Sequence, residues 1–301
     1  MGADVCYGSW PLWNSSPSAP TALGFFNRGF QSTTQGVRVH VLGRLAALVA
    51  LVAGVVIGSL VGGTVGGIAG VLIAMMGFQG LTLGVDGWKY VSAALATTGG
   101  LALIAWRHGV NATDLGLGHA TWITGIIWSV AIIAGIGIVI GFAGRHPKTQ
   151  PLFADERNDT SGVIAARRAL LDIPFGTVLV EEFAFRGVML ALVTVLYGSV
   201  WAVVITSVLF GLWHVAPALE MHESHEATSG SPWPTVLSTV LFTGLAGVLW
   251  AVLRLFTGSL FPPSAFHWAA NGTGVLVGWF VARTRKVTHA FGHDDEPSED
   301  H

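Results

Sequence analysis

The run Thr177-Val-Leu-Val-Glu-Glu-Phe-Ala-Phe-Arg-Gly187 sets two carboxylates and a guanidinium into an otherwise apolar stretch. An ionisable group at the centre of a membrane span costs about 2.5–3.5 kcal/mol on insertion scales, so three cost roughly 8–10 kcal/mol. Flanking aliphatic residues, at about −0.3 to −0.6 kcal/mol each, only just offset that. Spacing divides the labour between the three. Glu182 and Arg186 are four apart, one turn along the same helix face, and neutralise each other. Glu181 lies about 100° around the helix from Glu182 and is free to face a cavity.

Two further polar groups occur downstream in apolar surroundings. Phe210-Gly-Leu-Trp-His214 ends one apolar run shortly before Pro217, and His267 and Asn271 lie four apart near the start of the last run. That spacing points both of the latter side chains the same way. Pro262-Pro263-Ser264 reads as a helix start, with Ser264 at the N-cap. Together these residues suit the activation of water. A buried Glu serves as general base, and a neutral His shares its proton or orients the water. A His beside an Asn donates hydrogen bonds to an oxyanion as a carbonyl is attacked. The same Glu181, His214 and His267 also offer N and O ligands for Zn²⁺, which lowers the pKa of its bound water. Either arrangement hydrolyses an amide.

At these residues the chain resembles the CPBP family, the CAAX-protease and bacteriocin-processing (Abi-type) intramembrane endopeptidases. Its three motifs occur in order as Glu181-Glu182-x-x-x-Arg186, Phe210-x-x-x-His214 and His267-x-x-x-Asn271. The resemblance covers roughly 165–285. It implies that Glu181 and His214 activate the attacking water, that His267 and Asn271 stabilise the oxyanion, and that Glu182, Arg186 and Phe210 support them. The family is described both as a metalloprotease and as glutamate-driven without an obligatory metal. Its eukaryotic members cut after a prenylated cysteine, a specificity that the motifs alone do not carry over.

The elements that must position these groups follow from charge scarcity. Only 15 Lys and Arg and 17 Asp and Glu occur in 301 residues, 11% in all, against 52% hydrophobic. Soluble chains average about a quarter charged. A net charge of −2 offers no basic surface for nucleic acid, and a single cysteine, Cys6, excludes a disulfide framework. Charge-poor runs at 45–85, 90–106, 117–144, 169–193, 196–216, 232–256 and 260–282 predict an all-α, polytopic transmembrane bundle. The first run, about 60 Å as one helix, must break, and Gly62-Gly63-Thr-Val-Gly66-Gly67 is the natural place. Glycine at 54, 58, 62, 66 and 70 alternatively makes a close-packing ridge in a kinked helix. Eight spans with both termini cytoplasmic place most Lys and Arg inside, as the positive-inside rule favours; Arg107 and Arg254 then fall outside.

Residues 1–38 read as an N-terminal tail, 39–286 as the membrane domain with its motifs in 165–285, and 287–301 as a disordered acidic and His-rich tail. The stretch 217–231 contains His222-Glu-Ser-His225-Glu226, one residue short of zincin spacing, and reads as a solvated loop. Straight helices would hold His214 and His267 roughly 15 Å apart along the membrane normal. At least one helix must therefore be short, broken or tilted, with Pro217, Pro232, Pro234 and Pro262 as the expected breakers. The chain thus reads as a multi-pass cell-membrane protease acting on a membrane-associated or lipidated peptide. A proton-coupled transporter using Glu181, His214 and His267 as a relay, or a silent scaffold or immunity protein, are the alternatives.

Overall fold

A computed structural model describes residues 42–153, 160–224 and 231–291. The expected N-terminal tail and most of the expected C-terminal tail lie outside the described residues. Internal contacts divide the chain after Gly43, and the architecture is that of the larger unit, Arg44–His301. Among the described residues the regular structure is helical, with no strand. Five helical segments are long and apolar enough to cross a membrane: Leu42–Leu60, Thr64–Thr82, His119–Arg145, Gly162–Glu220 and Trp233–Thr257. In hydrocarbon every backbone polar group must be satisfied within the protein, and helices do so residue by residue. This is a multi-pass membrane protein.

Helices α1 (Leu42–Leu60) and α2 (Thr64–Thr82) are separated by a break at residues 61–63, at the front of the predicted glycine-rich stretch. Gly63 takes a positive φ of 80°, open to glycine at little cost. The glycine ridge faces its own hairpin partner rather than running through a kink. A methyl group added at Gly54 would strike the Ala74 backbone, one at Gly70 the Gly58 backbone, and one at Gly77 the Leu51 backbone. Backbones at that separation leave no room for a Cβ.

Helix α3 (Gly87–Arg107) packs Leu101 and Ile104 into the core, and α4 (Trp122–Arg145) buries only Gly125 and Gly144. Those two glycines receive Ser259 with Phe261, and Val277, at the start and middle of α10 (Phe261–Phe291). The remainder of α4 presents Ile123, Ile126, Val130, Ile138 and Phe142 outward, as a lipid-facing helix does.

The 59-residue run Gly162–Glu220 is jointed. It begins as α5 (Gly162–Arg167), with the Ser161 hydroxyl accepting from the Ile164 N–H as N-cap. It then widens into a π-helical stretch, Arg168–Val178, that contains Pro174. Pro lacks the N–H that a helix interior needs, and a widened turn accommodates the loss. One α-helical turn follows, α6 (Leu179–Glu182), then a second π-helical stretch, Phe183–Met189. Within α7 (Leu190–Trp213), Gly198 leaves helical geometry at φ 79°, ψ 169°. At His214 the chain turns again into α8 (Val215–Ser224).

The expected breakers therefore differ from the observed ones. Pro217 sits in the first turn of α8, Pro232 is the N-cap of α9 (Trp233–Thr257), Pro234 lies in its first turn, and Pro262 lies in the first turn of α10. Each occupies a position where the missing N–H has no partner to lose. The breaks fall at Gly198 and His214 instead. Ser264 is likewise no N-cap: it lies inside α10, and its hydroxyl donates to the Leu260 carbonyl at 2.8 Å. The expected loop from 217 is helical to Ser224, and α10 continues through 287–291, where a disordered tail was expected. His225 and Glu226 lie outside the described residues. Arg254, expected at the outer side, is buried at 6% exposure at the end of α9, donating to the Asp114 carbonyl at 2.8 Å.

Candidate active site

Residues 180–192 form the centre of the bundle, with Val71, Met75 and Phe78 of α2, Leu101 and Ile104 of α3, Phe210 of α7 and Trp250 of α9 in the same core cluster. The ionisable trio is therefore enclosed by apolar and aromatic side chains. Glu181 is 6% exposed, Glu182 0% and Arg186 1%.

Glu182 and Arg186 pair as their spacing requires. Arg186 Nη1 donates to Glu182 Oε1 at 2.9 Å. The guanidinium carbon also lies 3.9 Å from the centre of the Phe210 ring and 5.0 Å from that of Trp250. These cation–π contacts replace part of the lost hydration. Phe210, expected to support the site, is thus the floor beneath Arg186.

Glu182 has a second partner that spacing did not reveal. His267 Nδ1 donates to the same Oε1 at 2.9 Å. The imidazole is also stacked on Trp250, ring centres 4.4 Å apart and 22° from parallel. A hydrogen bond at one nitrogen and a ring face fix the orientation of the other nitrogen. His267 Nε2 consequently stands 3.9 Å from Glu181 Oε2, too far for a direct hydrogen bond and close enough for one water to touch both.

Glu181 is held from the other side. Trp213 Nε1 donates to its Oε1 at 3.0 Å, whereas its buried Oε2 has no hydrogen-bond partner among the described residues. The residue lines a cleft of about 550 Å³ formed also by Gln79, Thr82, Asp86 and Tyr90, Arg168, Trp213, Pro217 and Glu220. The base candidate therefore lines a space bordered by the α2–α3 loop and α8.

His214 sits at the joint between α7 and α8. Its Nδ1 donates to the Phe210 carbonyl at 2.8 Å, which leaves the Nε2 lone pair as an acceptor in the neutral ring. The Phe210 ring packs edge-on against both imidazoles, 4.7 Å from His214 and 6.1 Å from His267. Both histidines therefore border the same aromatic ring. His214 makes no ion pair with either carboxylate among the described residues. Asn271, one turn beyond His267 in α10, is exposed.

A metal reading of Glu181, His214 and His267 meets a geometric obstacle. Among the described residues no three His, Cys, Asp or Glu side chains stand close enough to hold a metal ion. His267 Nδ1 and His214 Nδ1 bond to Glu182 and to a carbonyl, which leaves Nε2 of each ring as the nitrogen a metal would take. As placed, the three side chains do not converge on one ion.

Three residues of the site were not read from the motifs: Trp213, Trp250 and Gln79. Gln79 Nε2 donates to the Trp213 carbonyl at 3.0 Å, from a helix 134 positions away in sequence. Its polarity within an apolar run was the signal that could have marked it.

Comparison with known families places one stretch. Residues 169–273 match the family described as Rce1-like, type II CAAX prenyl endopeptidase. No curated protein and no solved structure gave a significant match.

Proposed function

Because residues 169–273 match the Rce1-like, type II CAAX prenyl endopeptidase family, we propose that this chain is an intramembrane endopeptidase that hydrolyses a peptide bond in a membrane-associated or lipidated substrate. The observation that carries the reading is Glu181: its Oε2 is buried, has no hydrogen-bond partner among the described residues and lies 3.9 Å from His267 Nε2, and the residue lines the cleft. A water between these two atoms is deprotonated by Glu181 as it attacks the scissile carbonyl. His214, with Nε2 free to accept, shares that proton and passes it to the leaving amine. A proton on Nε2 of His267 lets that ring donate to the developing oxyanion. Asn271, on the same helix face, completes the donor set once substrate fills the space beside α10.

Eight spans, with both termini cytoplasmic and the cell membrane as the site, complete the proposal. Helices α3 and α10 join the five apolar segments, and the run Gly162–Glu220 counts twice because Gly198 divides it. The cleft then opens to the cytoplasmic side, with the α2–α3 loop. Transport is disfavoured by a specific observation. A second cavity of about 270 Å³, lined by Thr64, His108, Asp114 and Arg254, shares no residue with the Glu181 cleft. A relay across both leaflets would need them joined.

The test uses the purified full chain with a farnesylated CAAX peptide and a library of unprenylated peptides. Cleavage is expected for the wild type and lost in Glu181→Ala and His214→Ala. Cleavage surviving both substitutions would overturn the reading. The same assay with chelator decides between a Zn²⁺-assisted route and the metal-free one, and chelator-insensitive turnover is expected.

A further inference from the structure

We propose that Trp213 is a positioning residue for Glu181, and that Gln79, on a helix outside the family-matched stretch, holds Trp213 in place. The inference rests on the endopeptidase reading and extends it to residues that its motifs do not include.

A glutamate side chain rotates broadly about its last bond, because a terminal sp³–sp² torsion has shallow, roughly two-fold wells. Unrestrained, Glu181 could turn either oxygen toward the cleft or toward the His267 ring. The indole N–H of Trp213 removes that freedom by holding Oε1 at 3.0 Å. With Oε1 occupied, the plane of the carboxylate is set and Oε2 is the oxygen that remains 3.9 Å from His267 Nε2.

Trp213 is itself restrained at three points. Its ring packs at 6.2 Å against Phe185, its carbonyl accepts from Gln79 Nε2 at 3.0 Å, and its position is the last of α7, immediately before the His214 joint. A Trp drawn partly out of water ordinarily finds some acceptor for its N–H. Here the acceptor is the carboxylate that lines the cleft, and the Trp lines the same cleft. One contact therefore couples the geometry of the base to the α7–α8 joint that carries His214. The first half of the chain enters the site through Gln79.

The experiment measures steady-state cleavage of a farnesylated CAAX peptide by the full chain in detergent or nanodiscs. It compares wild type, Trp213→Phe, Trp213→His, Gln79→Leu and Glu181→Ala. Trp213→Phe keeps an aromatic ring against Phe185 and removes the N–H. Hydrogen bonds to charged groups are worth enough to predict a kcat loss of about tenfold or more. KM should stay within about twofold, since the cleft wall persists. Trp213→His retains a ring N–H and should recover part of the lost kcat. If Trp213→Phe fails to fold, Gln79→Leu carries the test, because it leaves the indole intact and frees only its anchoring. A kcat loss at constant KM is expected there too. Wild-type kcat in Trp213→Phe, or equal losses in the Phe and His variants, would overturn the positioning role while Glu181→Ala remained inactive. Undiminished cleavage by Glu181→Ala would instead overturn the endopeptidase reading itself.

Discussion

Glu182 is the residue on which the buried cluster turns. It accepts from both Arg186 and His267 through one oxygen, inside a shell of Phe and Trp rings. Removing Arg186 strands a carboxylate in that shell. Arg186→Leu is expected to lower stability by about 3–5 kcal/mol, because breaking a buried pair leaves an uncompensated charge. The double variant Glu182→Gln/Arg186→Leu should lose less than the two single losses added together. Chemical unfolding of the three variants measures this, and strict additivity would contradict the pairing. Glu182→Gln alone should lower kcat more than it raises KM, since a neutral amide oxygen holds the His267 N–H more weakly than the carboxylate does. At this scale the sequence was most informative. Charged residues in an apolar run announce themselves, and helical spacing paired Glu182 with Arg186. The Glu182–His267 and Trp213–Glu181 contacts were hidden because they join helices distant in sequence, and Trp is unremarkable in an apolar stretch.

Among the elements, the α1–α2 hairpin and the jointed run Gly162–Glu220 decide where the site stands. A valine at Gly70 would drive its side chain into the Gly58 backbone. Gly70→Val is expected to destabilise by about 1–3 kcal/mol, as overpacking does. Gly62→Ala, with open space around it, should be close to neutral. A thermal-shift comparison of the two variants checks the hairpin, and equal effects would argue against it. The sequence identified the glycine ridge but could not choose between a hairpin and a kinked helix. A repeat of four residues brings glycines to one face in both cases. It also assigned the breaks to proline, whereas each of those four prolines starts a helix, where its missing N–H costs nothing. Gly198 was inconspicuous because glycine is common throughout these spans.

For the whole molecule, the division of polar from apolar residues was legible early, and the all-helical architecture followed from it. The orientation of that architecture is open to a direct labelling experiment. In a Cys6→Ser background, Lys89→Cys and Ala112→Cys sit in exposed positions at the two ends of α3. Eight spans with the N-terminus inside predict that Lys89→Cys reacts with a membrane-impermeant maleimide only in inverted vesicles, and Ala112→Cys only in intact cells. The opposite pattern would place the cleft on the outer face. Labelling of both sites from one side would remove α3 from the list of spans.

The central claim is that Glu181 acts as the base for hydrolysis. Its most direct measurement is the rate of cleavage of one farnesylated CAAX peptide by wild type and by Glu181→Gln, an isosteric change that keeps the amide within reach of Trp213. A loss of about 10²-fold or more in kcat is predicted, in keeping with the contribution of a positioned general base, with the variant as stable as wild type. Turnover by Glu181→Gln at the wild-type rate would contradict the account.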